Sequence, residues 1–205
     1  MKKLIYNNTF YFFGITFLLI FAGCILLLFS KGEINLWVNR HSASWLDYFI
    51  IRIDQVGTVW FTISAMVVLG LWKGWKSALR GLVCIAFVAL AIQFCKHMLF
   101  AGTPRPTLYF EEGTLRLIEG ITQLKTESFP SGHTANAFAI ATIAAFALKN
   151  RPYQLIFILL AALVGYGRIY LSQHFLIDVY FGMIISVAVA SLMYLLMSRL
   201  LKLEV

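Results

Sequence analysis

The chain has 205 residues, of which 60% are hydrophobic and 13% charged, with a formal net charge of +8. That composition, with its positive mean hydropathy, excludes an ordinary soluble globular domain and places the chain in the membrane class. A basic pI also invites a nucleic-acid reading, which is set aside because no basic stripe with interleaved aromatics is present.

An apolar run of about 20 residues suffices to cross a bilayer, and six spans are predicted. The first covers residues 9–29. Phe21-Ala22-Gly23-Cys24 resembles a lipoprotein cleavage box, but the apolar run continues to Phe29. A signal h-region extends only about 7 to 15 residues, so this segment is read as a retained helix. Residues 35–56 mix Trp37, Trp45, Tyr48 and Phe49 with Arg40, Asp47, Arg52 and Asp54. That pattern suits a helix lying in the interface on aromatic anchors. The second span, 58–72, is the shortest. The third, 78–100, carries Lys96 near its end, where a lysine supplies a point charge for a phosphate or simply snorkels to the interface.

Residues 102–129 contain four acids and three bases, too polar a set to enter lipid, and form a long loop that borders the site. Arg105, followed by Pro106, is suited to bidentate grip on phosphate oxygens. The fourth span, 132–148, opens with Pro130-Ser131-Gly132-His133. Serine is a good N-cap and Gly132 lets a ligand approach the backbone, so the first amides make an anion cradle with His133 beside it. An ordinary capped helix start has the same four residues.

The fifth span, 154–171, ends near Arg168, and the sixth, 175–198, begins beside His174 with Asp178 inside it. His174 and Asp178 lie about 40° apart around a helix and one turn along it, so the carboxylate can hold one imidazole nitrogen. The other nitrogen is then left nucleophilic. Arg168 converges with His174 if the chain makes a tight turn at Ser172 and Gln173. A buried Arg/Asp ion pair with a bystander histidine is the alternative for this trio alone. Ionisable groups inside so apolar a sequence are functional suspects by default.

Charge fixes the predicted orientation. With the N-terminus cytoplasmic, that face carries Lys2, Lys3, Lys73, Lys76, Arg80, Lys149, Arg151, Arg199 and Lys202 against Glu204 alone. The opposite face and its membrane edges hold eight bases and eight acids, so the whole +8 sits on the cytoplasmic side. Lys96, Arg105, the Ser131 cradle, Arg168, His174 and Asp178 all fall on the other face, where they make a phosphate site with a nucleophile and an acid. Cys24, Cys84 and Cys95 lie in apolar spans at no metal-ligand spacing and are read as buried small hydrophobes. His41 and His97 are read as interfacial or packing residues. The fold class is all-α: one polytopic domain over residues 1–205, six transmembrane helices in one bundle with an interfacial helix after the first span.

At these residues the chain resembles the type 2 phosphatidic acid phosphatase superfamily, whose pattern is Lys-x6-Arg-Pro, Pro-Ser-Gly-His and Ser-Arg-x5-His-x3-Asp. The three appear in order over Lys96 to Asp178. Pro130 to His133 match fully, and Arg168, His174 and Asp178 match with Gly167 in place of the usual serine. Eight residues rather than six separate Lys96 from Arg105, an excess that Gly102 and Thr103 are placed to absorb.

The resemblance implies that His174 attacks phosphorus to form a phosphohistidine and that Asp178 orients it. It implies too that His133 is the general acid and base, and that Lys96, Arg105, Ser131, Gly132 and Arg168 bind phosphate. No metal or cofactor is required. The implied protein is a multi-pass cytoplasmic-membrane phosphatase with cytoplasmic termini and an extracytoplasmic site. It would act on a polyprenyl diphosphate, phosphatidylglycerophosphate, phosphatidate or lipid A phosphate, with the bilayer as its surroundings and no nucleic acid as partner. A lipid phosphotransferase using the same histidine is the close alternative. An anion transporter would show inverted repeats or broken helices in each half, and none is found. A haem or metal at the two histidines would be repelled by the adjacent arginines.

Overall fold

A computed structural model describes the backbone of residues 2–148 and 151–204 and the side chains of residues 4–148 and 152–204. Lys149 and the side chains of Lys2, Lys3 and Arg151, which enter the charge argument, lie outside the described residues. Regular structure among the described residues is helical, with no strand. In chain order the helices are α1 (Lys2–Asn7), α2 (Thr9–Leu28), α3 (Glu33–Arg40), α4 (Ser44–Asp54), α5 (Val59–Lys73), α6 (Trp75–Phe94), α7 (Pro106–Tyr109), α8 (Gly132–Leu148), α9 (Arg151–Tyr170) and α10 (Leu176–Leu200). A 3-10 turn, Gln55–Gly57, follows α4, and a π-helical turn, Cys95–Leu99, prolongs α6.

Four stretches are long and apolar enough to cross a bilayer: Thr9–Leu28, Trp75–Leu99, Pro152–Tyr170 and Leu176–Leu200. The other two expected spans are shorter. α5 has 15 residues, and its axis is bent by 60° from the preceding Ser44–Gly57. α8 has 17 residues and sits at the centre of the bundle, packed against α5, α6, α9 and α10. Its buried residues, among them Ala135, Phe138, Ala141, Thr142 and Phe146, run all round the helix, as expected of a segment enclosed by protein. Repeated alanines let neighbouring helices approach closely. Large apolar side chains on α2, including Phe13, Phe17, Phe21 and Leu27, face outward, a surface suited to lipid.

The segment expected to carry its charges in the interface is organised differently. It divides at Ser42 into α3 and α4, and Trp37, Trp45 and Tyr48 point outward with Arg40 and Arg52. The acids Asp47 and Asp54 turn inward, because each finds a cationic or hydroxyl partner in the body of the protein. Asp47 accepts from Arg116 and, at 2.5 Å, from the hydroxyl of Tyr170 on α9. Asp54 accepts from Arg168 at 2.7 Å.

Because successive spans run antiparallel, the last turns of α6 and α9 meet the first turns of α8 and α10 at one end of the bundle. The opposite end is closed by a separate polar set. There Gln154 donates to Asn8 at 2.8 Å and accepts from the Tyr11 amide at 3.2 Å, while Arg80 donates to Ser198 at 2.9 Å.

Candidate active site

The turn between α9 and α10 brings two site residues together. α9 ends at Tyr170, and Ser172 adopts φ 55° in the left-handed region. The Arg168 carbonyl accepts the amides of both Gln173, at 3.0 Å, and His174, at 3.1 Å. Residues six apart are thereby tied into one reversal, the tight turn that convergence of Arg168 and His174 requires. α10 then starts with the Asp178 carboxylate accepting the Phe175 amide at 2.9 Å, one half of a capping box.

His174 is buried, with 2% of its surface exposed. Its Nδ1 faces Asp178 Oδ2 at 3.5 Å, an approach too long or poorly aligned to count as a formed hydrogen bond. Its Nε2 lies 3.2 Å from Arg105 Nη1. A guanidinium only donates, so Nε2 presents its lone pair and Nδ1 carries the proton toward the carboxylate. Asp178 Oδ2 is fixed further by the Ser128 hydroxyl at 2.5 Å, and the His174 carbonyl by Asn35 Nδ2 at 2.9 Å. Burial pushes the His174 ring below the ordinary imidazole range; the Asp178 contact opposes this, and the Arg168 and Arg105 charges add to it.

The wide spacing of Lys96 and Arg105 is absorbed locally. Lys96 lies in the π-helical turn, where the Phe100 amide reaches the Cys95 carbonyl at 2.9 Å across five residues, and Gly102 reverses the chain at φ 74°. Both cations arrive at one atom. Lys96 Nζ donates to the Glu127 carbonyl at 2.5 Å and Arg105 Nη2 to the same oxygen at 3.1 Å. Arg105 also donates to the carbonyls of Thr126 at 2.8 Å and Gln173 at 2.9 Å. Burial, then the Arg168 charge, lowers the Arg105 guanidinium below its usual range, and it remains protonated at neutral pH.

At the start of α8 the amide and the hydroxyl of Ser131 are both engaged. Its amide donates to the Asp178 carbonyl at 3.0 Å, and its hydroxyl meets Thr134 Oγ1 at 2.8 Å. Ser131 thus ties α8 to α10. Gly182 permits this approach, since a Cβ there would stand 2.7 Å from the Ser131 carbonyl oxygen. His133 Nε2 lies 3.9 Å from Asp54 Oδ2, the oxygen that also receives Arg168. A mostly apolar groove of roughly 530 Å³ runs from Gly132 and His133 between α5 and α6, past Trp60, Val88 and Ile92. Its size is that of a small-molecule site.

His174, Asp178, Arg168, Arg105, Lys96 and Ser131 are therefore gathered at one end, with Gly132 and His133 opening beside them. His41 bonds the Trp37 carbonyl at 2.7 Å, and His97 lies at 3.9 Å from Glu127 with its side chain 60% exposed, so neither joins the cluster. Sequence reasoning missed Ser128, Gln173, Asn35 and Asp54. For Asp54 a signal existed: Asp47 and Asp54, seven apart, share one helix face.

Residues 77–202 match the PAP2 superfamily. The expected site residues all lie in that stretch, and Asn35 and Asp54 precede it. The chain is 25% identical over 158 residues to the undecaprenyl-diphosphatase BcrC of Bacillus subtilis (strain 168), covering 75% of this chain and 76% of the relative. It is 30% identical over 167 residues to the lipid A 4'-phosphatase of Bacteroides thetaiotaomicron, covering 78% and 70%. The crystal structure of Aquifex aeolicus LpxE matches with a TM-score of 0.71 at 26% identity, over 80% of this chain and 95% of that one.

Proposed function

This chain belongs to the PAP2 superfamily and is a membrane phosphatase, and we propose that it hydrolyses a lipid monophosphate or diphosphate through a phosphohistidine formed on His174. The observation that carries the reading is the buried His174 ring, with Nδ1 turned to Asp178 and a lone pair on Nε2 directed at Arg105. A neutral imidazole so oriented is an activated nucleophile.

In the first step Nε2 of His174 attacks phosphorus, and the bond to the lipid oxygen breaks as His133 gives that oxygen a proton. In the second, His133 takes a proton from water, which attacks the phosphohistidine and releases inorganic phosphate and neutral His174. Arg105, Arg168 and Lys96, with the amides at Gly132 and His133, offset charge on the phosphoryl oxygens. Ser131 holds this helix start against Asp178.

The groove leading from His133 between α5 and α6 supports a lipid, since it gives an apolar tail a place beside the reacting centre. The relatives named above act on a polyprenyl diphosphate and on a lipid A phosphate. Phosphatidate and phosphatidylglycerophosphate present the same phosphoryl chemistry. We read residues 1–205 as one domain of six spans, with α5 and α8 as its two short ones and α3 and α4 at the interface. The termini are cytoplasmic and the site faces outward from the cytoplasmic membrane, the arrangement that places the net positive charge inside.

The test is phosphate release by purified, detergent-solubilised protein from a panel of lipid mono- and diphosphates, with EDTA present. Release is expected to withstand the chelator and to fall by at least about four orders of magnitude in His174→Ala, the scale seen when a nucleophile is removed. Full activity in His174→Ala, or no release from any lipid by folded protein, overturns the reading. Label passing to a second lipid instead of water would identify a phosphotransferase.

A further inference from the structure

Asp54 stands at the active site without belonging to any of the three motifs. It ends α4, and its side chain is 13% exposed. Oδ2 receives Arg168 Nη1 at 2.7 Å and lies 3.9 Å from His133 Nε2. Oδ1 is buried without a hydrogen-bond partner among the described residues, as is Arg168 Nε. The backbone around it is equally tied to α8. Asn136 donates to the carbonyls of Gly57 at 3.1 Å and Thr58 at 3.2 Å, and a Cβ on Gly57 would stand 3.0 Å from the Cβ of His133.

The chemistry needs a second carboxylate here. Asp178 is committed to His174, Ser128 and the Phe175 amide, which leaves Arg168 and His133 outside its reach. A guanidinium swings on a flexible stem unless a partner fixes its plane, and a bidentate fork is selective only when fixed. A histidine that delivers a proton also works only when its ring is held at the leaving oxygen.

We infer that Asp54 is a positioning residue for both partners at once. It fixes Arg168 so that the remaining guanidinium N–H groups face the phosphoryl oxygens. It also lies 3.9 Å from Nε2 of His133, within ion-pair range of the protonated ring, so that Nε2 is turned to the carboxylate and Nδ1 is left to deliver its proton to the departing lipid oxygen. Asp54 thus does for the acid what Asp178 does for the nucleophile. This inference rests on the phosphatase reading above.

The nature of the leaving group separates positioning of the acid from general damage. An alkyl phosphate needs its leaving oxygen protonated, whereas 4-nitrophenyl phosphate leaves as a stable anion and needs little help. In Asp54→Asn, kcat/KM for an alkyl lipid phosphate is expected to fall by about 100-fold or more, the scale of lost general acid catalysis. For 4-nitrophenyl phosphate the fall is about tenfold, reflecting loosened Arg168, and inorganic phosphate inhibits more weakly. Asp54→Glu keeps the charge at a longer reach and shifts the alkyl-to-aryl ratio in the same direction by less, which preserves the test if the asparagine variant folds poorly. Asp47→Asn, on the same helix but bonded to Arg116 and Tyr170, leaves the ratio unchanged. Equal losses on both esters in Asp54→Asn, or none, overturn the inference and leave the phosphatase reading intact. Folded wild-type protein inert toward every ester overturns that reading, and this inference with it.

Discussion

His174 shows how one side chain is made reactive by its surroundings. Burial opposes the charged ring, while Asp178 and Arg105 assign the proton to one nitrogen and the lone pair to the other. With the ring's proton affinity held below the ordinary imidazole value of about 6.5, the folded protein keeps His174 neutral as pH falls through that value. Nitrogen-15 spectra of labelled histidine should therefore show the neutral, Nδ1-protonated form of this ring at pH 6, and an imidazolium pattern there would contradict the geometry. The approach of His174, Asp178 and Arg168 was legible because it is local: a spacing of four across the start of α10, with His174 just ahead of the helix rather than on it, and one turn between two helices. Asp54 was not, because its partner Arg168 is 114 residues away and only packing of α4 on α9 introduces them. Ser128 and Asn35 were hidden for the same reason.

Between elements, the decisive contact is that of α8 with α10. The Ser131 amide bonds the Asp178 carbonyl, and Gly182 opposite leaves room for the backbone to come that close. Gly182→Ala puts a methyl group against a carbonyl oxygen that cannot swing aside, so the helices must part. Overpacking of this kind costs about 1–3 kcal/mol, and a displaced helix start should lower kcat/KM by about 10- to 100-fold. Unfolding in detergent and steady-state kinetics would check both, and wild-type activity would show that the contact is not needed. The spans of α2, α6, α9 and α10 were readable from apolar length alone. α5 and α8 fall short of that length, α8 because protein rather than lipid surrounds it. The π-helical turn at Lys96 was unreadable, since widening a helix by one residue leaves no compositional mark; the excess spacing was its only trace.

Across the whole molecule, the two ends of the bundle are electrostatically unlike. One gathers Lys73, Lys76, Arg199 and Lys202 around few acids; the other balances its cations with Asp47, Asp54, Glu127 and Asp178. This difference sets the predicted orientation. In a background lacking Cys24, Cys84 and Cys95, a membrane-impermeant maleimide should label Gly113→Cys in intact cells and Lys202→Cys only after permeabilisation. The reverse pattern would invert the topology.

The Glu127 carbonyl takes donors from both Lys96 and Arg105, so the chain itself supplies a shared acceptor to the two cations. On the phosphatase reading, an anion reaching these cations exchanges with that carbonyl, a phosphate dianion taking the place of a neutral dipole. The alcohol left by a lipid monophosphate then carries no charge with which to compete with that carbonyl, whereas the monophosphate left by a diphosphate does.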